Sequence, residues 1–239
     1  NIHSGCHACN SLFKCLSTHV EMVVFEAIPS PIEVHLNKAV ITATQMMETM
    51  ITSNVPTRAE ISDVANAVFD QTDAIMLSAE SAVGKHPALV IETMARTCLA
   101  IEQEPETQTS GHRLECHFAA KDEAIAMATM YTANHLDIKA IVALTESGST
   151  ALMLSRTRSD IPIYAFTRNK ITQRRVSLFR GVLPFSYPFL AESLDQVLDD
   201  IRKELLGSDM LNSGDLIIVT SGSPLKVPGG TNSLRLISI

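Results

Sequence analysis

Tryptophan is absent from the sequence, and aromatic residues make up only 5% of it. Proteins that bind carbohydrate rings or stacked bases need aromatic platforms, so this scarcity argues against both functions. Basic residues are outnumbered as well: 19 Lys and Arg stand against 26 Asp and Glu, which gives a net charge of −7. That balance disfavours general binding to nucleic acid or to an anionic membrane surface.

Long apolar runs are also lacking. No stretch approaches the roughly eighteen apolar residues of a membrane span, and no charged segment followed by an apolar one marks a secretory signal. The five cysteines are an odd number, which in this context indicates free thiols in a reducing compartment. We therefore expect a cytoplasmic protein with neither a membrane nor a nucleic acid as partner.

The first 36 residues differ from the rest of the chain. They contain three of the five cysteines and half of the eight histidines, without a clean period of 2 or 3.6. Cys6 and Cys9 have the spacing of one zinc-ligand pair, but no second pair follows at the usual separation. The sequence therefore does not predict a metal site in this leader.

From residue 37 onward, short apolar strands alternate with amphipathic helices, which is typical of a mainly parallel sheet covered by helices. The composition predicts a domain boundary near residue 110, where the chain is polar and contains Pro, Ser and Gly. The last strand is predicted to pair antiparallel at an edge. The predicted strands are 38–44, 73–78, 140–145, 162–167, 182–185, 215–220 and 233–238. The predicted helices are 45–53, 61–69, 87–101, 120–136, 150–158, 171–179 and 193–206.

Polar residues follow the first two of these strands. Thr44 and Gln45 end one, and Ser78 and Glu80 end the next. In a strand–helix architecture, such groups face the catalytic mouth, where a hydroxyl can bind a phosphate or relay a proton. The alternative is that Thr44 and Ser78 cap the helices that follow.

A hydroxyl-rich loop at 145–150, with the sequence TESGST, lies between a predicted strand and helix. Small hydroxyl residues, a glycine and a helix N-terminus suit a phosphate. No Gly-Lys-Ser/Thr follows, so it is not a Walker A loop. The alternative is a turn with a serine N-cap.

Three further segments admit two interpretations each. Arg58, in the run PTRAE, could clamp an anion or bridge subunits, or it could stand beside a helix N-terminus at Glu60. The segment 221–232 suggests a loop that closes on a ligand, or a long connection before an edge strand. Residues 156–180 contain seven basic residues against one acidic residue. They could serve an anionic ligand or a subunit contact, or form a solvated face.

Several of these segments resemble one family. The run from 38 to 87, KAVITATQMMETMITSNVPTRAEISDVANAVFDQTDAIMLSAESAVGKHP, resembles the end of the catalytic barrel of bacterial pyruvate kinase. TESGSTALMLSR, PIYAFTRN, FRGVLPF, SGDLIIVTSGSP and VPGGTNSLR resemble its C-terminal domain. The resemblance runs from about residue 36 to 239. It implies an α/β fold in which residues 37–110 form the last two strand–helix units of a (β/α)8 barrel. Residues 111–239 then form a complete effector-binding α/β domain with a mainly parallel sheet, and residues 1–36 are a leader without a family match.

The resemblance also implies a reaction, phosphoryl transfer from phosphoenolpyruvate to ADP with Mg2+ and K+, and a homo-oligomer. It places Thr44 beside the substrate phosphate and Ser78 near a proton-relay route, as catalytic residues. It places Arg58 at a subunit interface. The loop residues implied to hold the phosphate of an effector are Thr145, Ser147, Gly148, Ser149 and Thr150.

The sequence lacks several segments of the family pattern, and this determines which activity we expect of the chain. The resemblance assigns the metal carboxylates, a phosphate-polarising lysine, the groups that bind K+ and nucleotide, and a lid domain to segments that this sequence lacks. Phosphoryl transfer needs positioned cations, so we expect a truncated protein that is inactive alone. The alternative is a non-catalytic phosphate-effector module or a pseudogene-like remnant. Because residue 149 is Ser where relatives often carry Arg, and Glu146 adds a negative charge, the expected effector is a sugar monophosphate or AMP. A shifted reading frame is our hypothesis for the leader.

Overall fold

The computed structural model describes residues 22–25, 38–43, 45–108, 118, 120–157, 159–188, 193–223 and 230–239. Contacts divide the chain into two compact units. The first comprises residues up to Ser110 together with Leu178–Arg180, and the second comprises Gly111–Ser177 and Gly181–Ile239.

A three-stranded parallel sheet organises the first unit. Its strands are β1 (Met22–Phe25), β2 (Ala39–Thr42) and β3 (Ala74–Ile75), in that spatial order. The register pairs Met22 with Ala39 and Thr42 with Ile75. The sequence analysis predicted β2 and β3 but not β1, which lies inside the leader. A four-residue apolar run has no periodicity of its own, so pattern alone could not distinguish it.

The helices of this unit pack mainly on one another, with Ile75 of β3 in their shared core. They are a 3-10 helix (Glu48–Ile51) and the α-helices α1 (Arg58–Phe69), α2 (Ala79–Ala82), α3 (Pro87–Glu102) and α4 (Pro105–Gln108). The predicted helix at 45–53 is wrong in type and length, since only one 3-10 turn forms there. Thioether and aliphatic side chains fill the core, namely Met46, Met47, Met50, Val64, Ala67, Ile75, Val90, Met94 and Cys98. The side chain of Cys98 is buried in this core.

A capping box fixes the start of α1. The Thr57 side chain accepts a hydrogen bond from the Glu60 N–H, and the Glu60 carboxylate accepts one from the Thr57 N–H at 2.7 Å. The same carboxylate accepts the Thr49 N–H at 2.7 Å and the hydroxyls of both threonines. Burial raises the pKa of Glu60, but these hydrogen bonds outweigh it and lower the pKa below its usual value.

The second unit is built on a five-stranded sheet. Its strands are β4 (Ile138–Leu144), β5 (Ile163–Thr167), β6 (Val182–Ser186), β7 (Leu216–Gly222) and β8 (Thr231–Ser238). The spatial order is β6-β5-β4-β7-β8, and only β8 is antiparallel to its neighbour. This confirms the predicted mainly parallel sheet and its antiparallel edge strand.

The helices of this unit lie on both faces of the sheet. They are α5 (Lys121–His135), α6 (Ser149–Ser155), α7 (Lys170–Val176) and α8 (Leu194–Gly207). Val197, Ile201 and Leu205 of α8 pack on alternate residues of β4, such as Val142, while α5 and α6 contact other parts of the sheet. Near-continuous burial of β4 and β5 follows from this three-layer arrangement. Across the described ranges, no helix is both long and apolar enough to cross a membrane.

Candidate functional site

The strand order of the second unit creates a switch point. The chain leaves β4 toward β5 and β6 on one side, then crosses to β7 on the other side. In open α/β sheets, ligands bind at the carboxyl ends of the strands where the order reverses. The loop at 145–150 follows β4 and Ser223 follows β7, so both lie at this edge of the sheet.

The turn at 145–150 depends on Gly148. This residue is the N-cap of α6 and has φ 87°, a left-handed conformation that glycine adopts without strain. Its N–H donates to the Thr145 hydroxyl at 2.9 Å. The alternative of a serine N-cap is therefore wrong. The hydroxyls of Ser147 and Ser149 are 3.1 Å apart and partly exposed.

Two of the five predicted phosphate residues have buried hydroxyl side chains with partners within the protein. Thr145 accepts the Gly148 N–H, and its own N–H donates to the Phe166 carbonyl at 3.0 Å. The hydroxyl of Thr150 is 2.6 Å from that of Thr231, at the start of β8. Thr145 and Thr150 therefore support the loop, whereas Ser147 and Ser149 are accessible. Thr231 lies in the segment 221–232 that the sequence singles out, but nothing in the sequence pairs it with Thr150.

The connection from β7 to β8 is pinned at its base. The Asn232 side chain accepts the Ser223 N–H at 3.0 Å and donates to the Ser223 carbonyl at 2.9 Å. A Cβ on Gly222 would lie 2.7 Å from the Gly230 carbonyl oxygen, so only glycine fits. Of the segment 221–232, residues 224–229 lie outside the described residues, and the prediction of a closing loop there stays untested.

An ion pair lies beside the hydroxyl loop. Nε of Arg168, directly after β5, is 3.2 Å from Oε2 of Glu146. The Thr172 hydroxyl donates to the Glu146 carbonyl at 2.7 Å, which ties the loop to α7. Thr172 carries no sequence signal that would have singled it out.

The basic run 156–180 is not one solvated face. Arg156 is only 1% exposed and donates to the Ser155 hydroxyl at 3.0 Å, whereas Arg174 is exposed. Arg168 is exposed as well, with half of its side chain accessible to solvent. Arg158 lies outside the described residues. A charge count along the chain could not separate these environments.

The strand ends of the first unit contain the other predicted residues. Thr44 lies outside the described residues. Ser78 is exposed at the N-cap of α2, but its side chain makes no capping hydrogen bond, so the capping alternative fails for it. Arg58 is the exposed first residue of α1, and Thr57 rather than Arg58 precedes the helix as its cap. The alternative, a solvated loop with a helix N-terminus at Glu60, predicted the helix but not its start, because α1 begins at Arg58 and Glu60 lies in its first turn.

The carboxylates near these strand ends do not fit a metal ion. Asp73 accepts the Val40 N–H at 2.8 Å and the N–H of Arg180, which belongs to the same unit, at 2.9 Å. Glu80 is buried in α2. Within the described ranges, no group of three or more His, Cys, Asp or Glu could hold a metal. Asp73 and Glu80 therefore do not form a Mg2+ site, and the resemblance assigns the metal carboxylates to segments other than these.

Fold and loop together define an α/β protein with one parallel sheet, one mainly parallel sheet and a hydroxyl-rich loop at a switch point. Two family models match it: "Pyruvate kinase, barrel domain" over residues 32–91 and "Pyruvate kinase, alpha/beta domain" over residues 123–237. The barrel match begins inside the segment 1–36. The chain belongs to the pyruvate kinase family.

Curated relatives agree with these models. Pyruvate kinase II of Salmonella typhimurium is 48% identical over 205 residues, covering 85% of this chain and 42% of the relative. A pyruvate kinase of Buchnera aphidicola subsp. Schizaphis graminum is 46% identical with the same coverage. That of Geobacillus stearothermophilus is 39% identical, covering 84% of this chain and 34% of its own length. The chain thus spans less than half the length of these relatives.

Proposed function

We propose that this chain forms the C-terminal part of a pyruvate kinase, which transfers the phosphoryl group of phosphoenolpyruvate to ADP to give pyruvate and ATP. The observation that carries this proposal is the match of a barrel model and an α/β-domain model, in family order, on one chain. The described residues do not fit a metal site, so the cations that the reaction needs must be held by other residues.

Within this reaction, Thr44 and Ser78 are proposed catalytic residues. β2 and β3 are adjacent and parallel, so the segments that follow them emerge at one edge of the sheet. Ser78 is exposed and has no capping bond that would occupy its hydroxyl. Exposure at the start of α1 leaves Arg58 available for the proposed subunit interface.

The second unit is proposed to bind the phosphate of a monophosphorylated effector at the loop 145–150. Ser147 and Ser149 offer accessible hydroxyls to the phosphate. Gly148 permits the turn, while Thr145 and Thr150 hold it in shape through their buried hydrogen bonds. This division of roles refines the five-residue set that the resemblance implies.

A coupled assay for pyruvate tests the catalytic proposal. The purified 239-residue chain, given phosphoenolpyruvate, ADP, Mg2+ and K+, is expected to show no turnover above background. Adding a polypeptide that carries the preceding barrel strands is expected to restore turnover, and Ser78→Ala should then lower it. Turnover by the chain alone would contradict the proposed division of the site.

A non-catalytic effector module is the second candidate, favoured by the hydroxyl loop at the switch point of the sheet. Titration calorimetry of the chain with ribose 5-phosphate and with AMP tests it. Binding that Ser147→Ala weakens, without restored turnover in the complementation assay, would support this candidate. Absence of binding to either compound would remove the effector role.

A further inference from the structure

Glu146 and Arg168 form a charged pair that the proposed effector site has not yet used. They follow β4 and β5, whose register pairs Leu144 with Phe166 and therefore brings the two residues side by side. Nε of Arg168 lies 3.2 Å from Oε2 of Glu146. The pair thus occupies the same sheet edge as Ser147 and Ser149.

Arg168 is held through one of its three nitrogens. Among the residues that the structure describes, its two Nη groups make no hydrogen bond, and the side chain is 50% exposed. A guanidinium bound through Nε alone retains four N–H donors in a fixed plane. That fork matches two oxygens of a phosphate group.

Glu146 is the more constrained partner. Its side chain is 16% exposed, and its Oε1 atom is buried without a hydrogen-bond partner in the described part of the chain. Thr172 holds its carbonyl at 2.7 Å. A buried carboxylate oxygen without a partner is unfavourable and calls for an explanation. Within the described residues, the hydrogen bond of this carboxylate is the one that its other oxygen, Oε2, accepts from Arg168.

To bind a phosphate, the hydroxyl loop needs a positive charge from another segment of the chain. Its sequence from 145 to 150 contains one acidic residue and no basic residue. A phosphate dianion placed there would meet the field of Glu146 without compensation. Arg168 is the cation that the structure brings into contact with this loop, through Glu146.

We propose that Arg168 is the phosphate-binding cation of this site and that Glu146 is the positioning residue that orients it. The inference rests on the proposed effector role of the loop and deepens it. The ligand class is a phosphate monoester with a single phosphate, because the pair sums to zero charge and Glu146 repels a second phosphate near the first. A sugar monophosphate and a nucleoside monophosphate share this chemistry.

Titration calorimetry of the full chain tests the proposal with inorganic phosphate, ribose 5-phosphate, AMP and ribose 1,5-bisphosphate. Arg168→Met should weaken ribose 5-phosphate binding roughly ten- to a hundredfold, as expected for lost hydrogen bonds to a charged group. Lys170→Met is the matched control, since Lys170 is an exposed cation two residues further along. It should change the affinity less than about twofold. Comparison of ribose 5-phosphate with AMP distinguishes the two sources of the monoester.

Variants of Glu146 test whether this residue orients Arg168 or only adds negative charge to the site. Glu146→Gln keeps an oxygen that can accept the Arg168 Nε–H, so ribose 5-phosphate should bind as before while the bisphosphate gains affinity. Glu146→Ala removes that acceptor and should weaken both ligands. If Glu146→Gln weakens ribose 5-phosphate binding as much as Glu146→Ala does, the positioning role is overturned.

The remaining outcomes are distinct from one another. If the unmodified chain binds none of the four compounds, the effector role of the loop fails and this inference fails with it. If the chain binds ribose 5-phosphate and Arg168→Met binds it equally well, the effector role stands and the inference is overturned. Equal losses with Arg168→Met and Lys170→Met would also overturn it, since diffuse charge would then explain binding.

Discussion

The carboxylate of Glu60 allows a direct test of which hydrogen bonds stabilise the first unit. It accepts four hydrogen bonds, two from Thr49 and two from Thr57, and thereby joins the 3-10 helix to the start of α1. Glu60→Gln keeps the shape of the side chain but replaces one oxygen by an NH2 group. That group cannot accept the N–H and hydroxyl donors that now point at it. A hydrogen bond to a charged group contributes about 1.5–3 kcal/mol, and water can satisfy part of what is lost because Thr49 and Thr57 are exposed residues. We therefore expect a loss of about 1–2 kcal/mol of unfolding free energy at neutral pH.

The pH dependence follows from the lowered pKa of Glu60. Because the folded-state pKa lies below the ordinary value of 4.5, the stabilisation is present above that pH and is lost as the pH falls through the folded-state pKa. The gap between the unmodified chain and Glu60→Gln should therefore be largest near neutral pH. It should narrow as the pH drops below about 4.5.

Urea unfolding measured by circular dichroism, at several values from about pH 7 to about pH 3, provides the free energies. Hydrogen exchange of peptides around residues 47–60 locates the loss in the first unit, which matters because two units need not unfold in one step. Glu92→Gln is the matched control, since Glu92 is an exposed residue of α3. Equal behaviour of the two variants, or a gap that stays constant with pH, would refute the reasoning.

Two further predictions concern the β7–β8 connection. Gly222→Ala should destabilise the second unit by about 1–3 kcal/mol, because the new Cβ meets the Gly230 carbonyl at 2.7 Å. Gly207→Ala, where a Cβ meets nothing, should be neutral or slightly stabilising in the same urea titration. Thr231→Val should cost about 1–2 kcal/mol, because it leaves the buried Thr150 hydroxyl unpaired. Adding Thr150→Val should recover part of that loss; a fully additive double variant would show that the two hydroxyls are not coupled.

Most of the second unit could be predicted because its strands are apolar, evenly spaced and separated by helices with recognisable starts. Ser193, for example, is an N-cap residue whose side chain accepts the Gln196 N–H at the start of α8. The predicted strand at 73–78 shrinks to Ala74–Ile75 because only these residues pair with β2. An apolar run marks residues that favour burial, but its hydrogen-bonded length depends on the neighbouring strand.

Only part of the candidate site could be predicted from the sequence, because some of its contacts join residues that are far apart along the chain. The run TESGST marks the loop, and its glycine indicates the left-handed turn. Neither Thr231, 81 positions beyond its partner Thr150, nor the contact of Arg168 with Glu146 follows from local spacing. Both depend on which strands become neighbours. Strand order is a property of the folded sheet rather than of any one segment.

The methionines packed into the first unit have a practical consequence. Met47, Met50 and Met94 are almost fully buried there, while Met127 and Met130 are buried in α5 of the second unit. Their terminal methyl groups give sharp, well-separated signals when carbon-13 is incorporated at that carbon alone. One NMR spectrum would thus contain independent reporters for each half of the polypeptide. A change at the capping box should perturb one set of resonances, and a phosphate ester should perturb the other.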